Sequence, residues 1–454
     1  MFVRIGMKFE RWARKYIPDP LVIAMILTIL LGLMAIVCTE SSIATVADSW
    51  MTGFWEFLAF SMQVAFGLIA GAALCQAPIV KKGMARICSI PKNSRQAAVF
   101  LFCSVLVIDW VNWGLGIIAG AFLAKEIATQ FAKKGVPHHL PCLAAAAHGG
   151  TIVYGLGWTG AIPLMVSTPT HFAVEQMGQV PLVESLLGKL NLIVLLGILV
   201  FGALTFYALH PKDESKFIML QLDGNDQTES SAPTGSVLTQ KRTFAERVEN
   251  ITIWSYGLAI FWAIWIVRTL MTKGFEAIDL NMANVTLLIL GLLAWKYPLR
   301  YVSSFKAETS QASSIILQFH FYAGIMGIMK YTGLVSIISN LFVNIATAET
   351  FPLLAYLSAG LVNFAIPSGG GQWAVQGPVM IDAASKLGAN MLHVTMAVSY
   401  GDSWTNMITP FWALPMAGVL GIKVRDFLGY TIALALVVGL WTSAVLLLFG
   451  YGIL

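Results

Sequence analysis

Ile366-Pro-Ser-Gly-Gly-Gly-Gln-Trp373 interrupts the apolar segment 351–388 at its centre. Proline removes a backbone donor and restricts its predecessor, and three consecutive glycines are poor helix formers. The segment is too long for one bilayer crossing, which takes about 20 residues of helix. It reads as a re-entrant hairpin: two half-helices entering and leaving on the same side and meeting at a polar tip. A kinked pair of full spans is the competing reading. Backbone that is not helical at membrane depth is tolerated only where protein or a water-filled cavity satisfies it. A second interruption of this kind, Asp109-Trp-Val-Asn-Trp-Gly-Leu-Gly116, lies within 96–132.

The rest of the chain fits a membrane setting. Of 454 residues, 57% are hydrophobic and 11% charged, against about 25% charged in soluble domains. The mean hydropathy is +0.75. A polytopic all-α membrane protein follows, and soluble enzymes, nucleic-acid binders and disulfide scaffolds are disfavoured. The net charge of +5 needs no acidic partner, because cytoplasmic loops are rich in Lys and Arg. Five scattered cysteines without metal spacing read as free thiols. In 1–16, Phe2, Ile5, Phe9 and Trp12 share one helical face and Arg4, Lys8, Arg11 and Lys15 the other, the pattern of an interfacial helix.

The polar stretch 210–248 divides the chain, and an offset of about 255 residues aligns features of its halves. Phe66-Gly-Leu-Ile-Ala-Gly71 meets Tyr322-Ala-Gly-Ile-Met-Gly327, and His148-Gly-Gly-Thr151 meets Asp402-Ser-Trp-Thr405. Loop charge then sets topology. Loops 77–95, 132–139, 296–306 and 423–425 carry Lys and Arg and are expected inside; 39–50, 169–183 and 331–350 carry none and are expected outside. The expected organisation is a first repeat over 1–209, with hairpin 96–132 and broken span 138–168, then a cytoplasmic linker at 210–248 and a connecting span at 249–270. A second, inverted repeat over 271–454 holds hairpin 351–388 and broken span 391–421. This gives nine spans and two hairpins, N-terminus cytoplasmic and C-terminus outside.

Inverted repeats with paired broken segments are the architecture of secondary transporters, with substrate and coupling ions near the midplane. Four interruptions are expected to converge there. Their substrate-binding candidates are Asn112, Gly114, Thr151, Ser368, Gly369, Gly370, Gly371, Gln372, Thr405 and Asn406. Open backbone N–H groups and half-helix N-termini can hold a carboxylate. The interruptions contain no Lys or Arg, which suits a small monoanion better than a dianion. Close helix packing explains a lone glycine as well, and an interhelical hydrogen bond explains a lone Asn or Gln. Bulk at Gly370 is expected to block backbone approach to the anion and, if the glycine adopts a positive φ, to oppose it. Trp113, Trp158, Trp373, Trp404 and Trp412 are candidates for an apolar wall or an interface belt.

Ionisable residues within spans are functional candidates because they are costly in hydrocarbon. Asp402, within the expected break at 401–406, is the leading site for a coupling cation, with Ser403, Asp109 and His148 beside it as further candidates. Unwound carbonyls and hydroxyls there could complete an oxygen cage for Na+; H+ is the other choice. The alternative is that Asp402 caps a half-helix beginning near Ser403. Asp382 and Lys386, four apart, suit a helix-surface pair.

At Pro367-Ser-Gly-Gly-Gly-Gln-Trp-Ala-Val-Gln-Gly-Pro378 the sequence resembles the short-chain fatty acid transporter family, the bacterial acetoacetate and butyrate uptake carriers. The likeness extends to Asn112-Trp-Gly-Leu-Gly116, Tyr400-Gly-Asp-Ser-Trp-Thr-Asn406, Pro410-Phe-Trp-Ala-Leu-Pro415 and Ile17-Pro-Asp-Pro-Leu21. The resemblance implies an elevator-type carrier in a bacterial inner membrane, symporting a short monocarboxylate with H+ or Na+, without a cofactor; it leaves a homodimer open. Of the Ser-Asn-Thr signature of the superfamily's dicarboxylate carriers, only Asn112 and Ser368 are echoed. A same-fold carrier of a dicarboxylate or amino acid remains the alternative. An embedded enzyme would need a nucleophile or metal set, and the histidines are dispersed; an ion channel would want a repeated filter, and the expected internal inverted repeat argues against it.

Overall fold

Runs of Leu, Ile, Val and Ala become helices because hydrocarbon offers no partner for backbone N–H and C=O groups. The computed structural model describes residues 18, 20–220, 243–364, 366–409 and 412–454. The expected interfacial helix at 1–16 and most of the 210–248 linker lie outside the described residues. Among those described there is no strand.

The first half runs α1 Pro20–Thr39, α2 Ile43–Glu56, α3 Leu58–Cys75, α4 Pro78–Ile87, α5 Ser94–Val111, α6 Trp113–Lys133, α7 Leu140–Gly149, α8 Ala161–Val166, α9 Val174–Met177, α10 Leu182–Leu187 and α11 Lys189–Leu209. After α12 Phe244–Glu249 and α13 Ile253–Lys273 come α14 Leu280–Trp295, α15 Pro298–Glu308, α16 Ser313–Tyr331, α17 Leu334–Val343, α18 Phe351–Val362, α19 Gly369–Leu387, α20 Met391–Thr405, α21 Leu414–Leu420 and α22 Val424–Gly450. One sequence of elements occurs twice: a long helix (α3, α16), a short one (α4, α17), paired arms (α5–α6, α18–α19), a broken pair (α7–α8, α20–α21) and a long closing helix (α11, α22).

By length and composition, seven described helices can cross a bilayer, or eight if the α16–α17 pair, bent by 82°, is one span. Both arms of the first hairpin, 18 and 21 residues, are among them, so length alone also allows two full spans there. Phe261 and Met271 of α13 are 76% and 82% exposed, so this helix offers an apolar flank to lipid. Inside, α2 crosses α16 with Gly53 against Gly327; a Cβ on either would collide with the other helix's backbone.

Two expected boundaries move. Most of the expected loop 39–50 belongs to α2, which Ser42 caps by accepting the Thr45 N–H at 3.0 Å. The break expected at 401–406 opens one turn later, because Gly401, Asp402 and Ser403 stay helical in α20. Ser403 Oγ donates back to the Ser399 carbonyl within that helix. The Asp382–Lys386 pair forms at 2.7 Å and also reaches Ser339 and Asn340 of α17, fastening α17 to α19.

Candidate functional site

Helix α19 begins at Gly369, and Ser368 precedes it in an extended conformation with no side-chain cap bond. The first N–H groups of a helix have no intrahelical partner, so this end is open to a ligand. It faces a cavity with about 610 Å³ of empty space, counting its mouth. The second hairpin contributes Ser368, Gly369 and Gly370; the first contributes Asp109, Trp113 and Ile117. The broken spans add Thr151, Tyr154, Ala161 and Asn406, followed by Trp412, and α3 and α16 close the side with Val64, Ile315 and Phe319. The lining is mainly apolar, its polar side chains include hydroxyls, an amide and a carboxyl, and among the described residues it has no Lys or Arg.

All three tip glycines have right-handed helical backbone, so Gly370 does not adopt a positive φ. Glycine is required there by close approach. A Cβ on Gly370 would stand 2.8 Å from the Phe319 ring, and one on Gly369 would stand 2.8 Å from Tyr154 Oη and 3.1 Å from Asp402 Oδ2. Gly371 turns from the cavity and packs on Tyr322.

Asp402 is buried just behind Gly369, and neither carboxylate oxygen has a partner among the described residues. It does not cap a following half-helix, since α20 runs on to Thr405 and the next helix starts at Leu414. Asp109, at the cavity wall, is likewise buried with both oxygens unpartnered among the described residues. Buried charge without a counter-charge costs several kcal/mol.

Residues 1–449 match the family described as Short chain fatty acid transporter. The chain belongs to that family. A relative from Haemophilus influenzae, named "Putative short-chain fatty acid transporter", is 33% identical over 438 residues, covering 95% of this chain and 96% of its own. One of the same name from Escherichia coli K12 is 33% identical over 446 residues, covering 97% and 98%. Among solved structures, the Alcanivorax borkumensis YdaH transporter is 13% identical with a TM-score of 0.57, over 96% of this chain and 99% of its own. Neisseria gonorrhoeae MtrF, described in a study of antimetabolite efflux pumps, is 14% identical with a TM-score of 0.61, over 99% and 97%. These two likenesses show the fold, that of a multi-pass membrane transporter.

In this member of the family, Thr151, Ser368, Gly369, Gly370, Asn406 and Asp109 reach the cavity, and the other candidates do not line it. Asn112 is the N-cap of α6, its Oδ1 accepting the Leu115 N–H at 2.8 Å. Gly114 lies against Leu68. Gln372 donates to the Ala359 carbonyl and to Gln376 Oε1, both at 2.9 Å, joining the arms of its own hairpin. Thr405 accepts from Asn363 at 2.9 Å. Ser403 accepts the Gly155 N–H at 3.2 Å, and with its bond to Ser399 is already committed. His148 is buried against Phe427. Of the five tryptophans, Trp113 and Trp412 form cavity wall, edge to face at 6.2 Å. Trp158 packs on Trp110, Trp373 on Phe172 and Trp404 on Tyr356.

Sequence reading missed Tyr154, Phe319 and Asn363. Asn363 Nδ2 lies 2.9 Å from the Asp402 carbonyl, 2.9 Å from Thr405 Oγ1 and 2.7 Å from Asn406 Oδ1, tying the second hairpin to the second broken span. Its signal was the dipeptide Val111-Asn112, repeated as Val362-Asn363 where each first arm ends. Tyr154 lies three residues after Thr151 in the 3-10 turn Gly150–Leu156, and residues three apart share a face of such a helix. Phe319 carried no signal of its own in an apolar helix.

Proposed function

We propose that this transporter takes up short-chain monocarboxylates such as butyrate or acetoacetate across the bacterial cytoplasmic membrane, coupled to H+ or Na+. The observation that carries the reading is the cavity: a helix N-terminus, hydroxyls and an amide at one side, apolar and aromatic walls elsewhere, and no Lys or Arg among the described residues of the lining. The carboxylate takes the N–H groups at Gly369 and Gly370 with the Ser368 and Tyr154 hydroxyls, and the short chain lies against the Trp113–Trp412 wall. A dianion would leave one charge without a counter-charge in this space. The family assignment and the names of the relatives support the same substrate class.

Coupling is assigned to Asp402, which touches the tip from behind and can sense whether the site is filled. A proton needs only the carboxyl. Na+ would need several further oxygens around that carboxyl. In this reading the two repeats are inverted, the hairpins are re-entrant, the N-terminus is cytoplasmic and the C-terminus outside. The hairpins and broken spans move as an elevator against α2, α3, α14 and α16.

The test is uptake by proteoliposomes across C2–C6 monocarboxylates, dicarboxylates and amino acids, with a pH gradient or a Na+ gradient. Butyrate uptake driven by an inward proton gradient is expected. Succinate, citrate or an amino acid outcompeting butyrate would overturn the substrate reading.

A further inference from the structure

We propose that the stacked pair Phe60–Phe319 is the permeation barrier between the substrate cavity and a polar vestibule, sealed by the backbone of Gly370. The vestibule has about 1660 Å³ of empty space with its mouth, and its walls include Gln63, His171, Asp279 and Lys330. Two helices run from the cavity into it. On α3, Val64 lines the cavity and Phe60, one turn away, lines the vestibule. On α8, Ala161 lines the cavity, and Met165, one turn on, lines the vestibule. One helical turn, about 5.4 Å, therefore separates the two spaces.

The two rings fill that interval. Phe319 lines the cavity from α16; its ring lies 6.3 Å from that of Phe60, with 17° between the planes. Phe319 is 4% exposed and Phe60 9%, so little solvent passes either ring. Phe57 braces Phe60 edge to face at 5.8 Å. The hairpin tip completes the seal: the missing Cβ of Gly370 would stand 2.8 Å from Phe319 and 3.3 Å from Phe60. Any side chain at position 370 would wedge the tip off both rings. Phe60 and Phe319 come from spans of different halves, α3 and α16, so a shift of the tip past them would switch the cavity between closed and vestibule-accessible.

The barrier does not depend on what the cavity carries, although its role in uptake rests on the monocarboxylate reading. The test uses full-length protein in vesicles with the native cysteines replaced and Thr151→Cys as a cavity reporter. A membrane-impermeant thiol reagent is applied to each face in turn. Phe60→Ala and Phe319→Ala are expected to raise the labelling rate from one face, that of loop 169–183, at least about tenfold, as opening a gate would. Release of preloaded butyrate toward that face should quicken in parallel. Phe60→Leu and Phe319→Leu, which keep a bulky apolar group, should give smaller rises in the same direction and decide the matter if the alanine variants do not fold. Unchanged labelling in all folded variants would overturn the barrier. Faster labelling, with no monocarboxylate uptake by the protein that retains Thr151, would leave the barrier standing and overturn the substrate reading instead.

Discussion

The two hairpin tips occupy equivalent places in the chain and are closed in different ways. In the first, a single residue separates the arms, and that residue, Asn112, bonds the Leu115 N–H. The following Trp113 N–H is taken by Thr159 Oγ1 at 3.0 Å. In the second, the stretch between Val362 and Gly369 leaves Ser368 without a cap bond, and glycine starts the helix. At the first tip the Trp113 and Leu115 N–H groups have side-chain acceptors, whereas at the second Ser368 makes no side-chain cap and donors are left for something else. On the proposed reading, the substrate carboxylate therefore belongs to the second tip.

The largest test of this contrast is Gly370→Val. The branched side chain would enter the space held by Phe319, 2.8 Å from the Cβ position, so uptake should fall to background while the protein still reaches the membrane. Near-normal uptake would make the glycine a packing residue, as Gly371 is. Asp402→Asn comes next. It should remove accumulation against a gradient and the dependence on the coupling ion, yet retain fold and substrate exchange. Unchanged ion dependence in a gradient-driven uptake assay would remove Asp402 from coupling. A smaller effect is expected for Asn363→Ala, which deletes bonds to the Asp402 carbonyl, Thr405 and Asn406. A loss of about 1–3 kcal/mol is expected from the unpaired groups left behind, read as a lower melting temperature in detergent. An unchanged melting temperature would mean that the second tip is held by its helix packing alone.

The all-helical, membrane-spanning architecture could be read from apolar length and from Gly and Pro breaks, because hydrocarbon forces those patterns on the chain. The site was only partly legible. Ser368, Gly369, Gly370, Thr151 and Asn406 were found because backbone breaks collect polar and small residues. Gln372 and Thr405 carry the same chemistry one helical face away, and which face meets the cavity depends on where the helix starts. The late end of α20 shows this: one extra turn carried Asp402 from an unwound loop into a helix. Tyr154 and Phe319 were hidden because an aromatic residue in an apolar span looks the same whether it packs or lines a site.

The most direct measurement sets the two tips side by side: the butyrate KM of Ser368→Ala and of Asn112→Ala in proteoliposomes. A hydrogen bond to a charged group contributes about 1.5–3 kcal/mol, so Ser368→Ala should raise KM by at least about tenfold. Asn112→Ala should lose about 1 kcal/mol of stability through its cap and leave KM within about twofold. A raised KM in Asn112→Ala with an unaltered one in Ser368→Ala would move the carboxylate to the first tip and contradict the account.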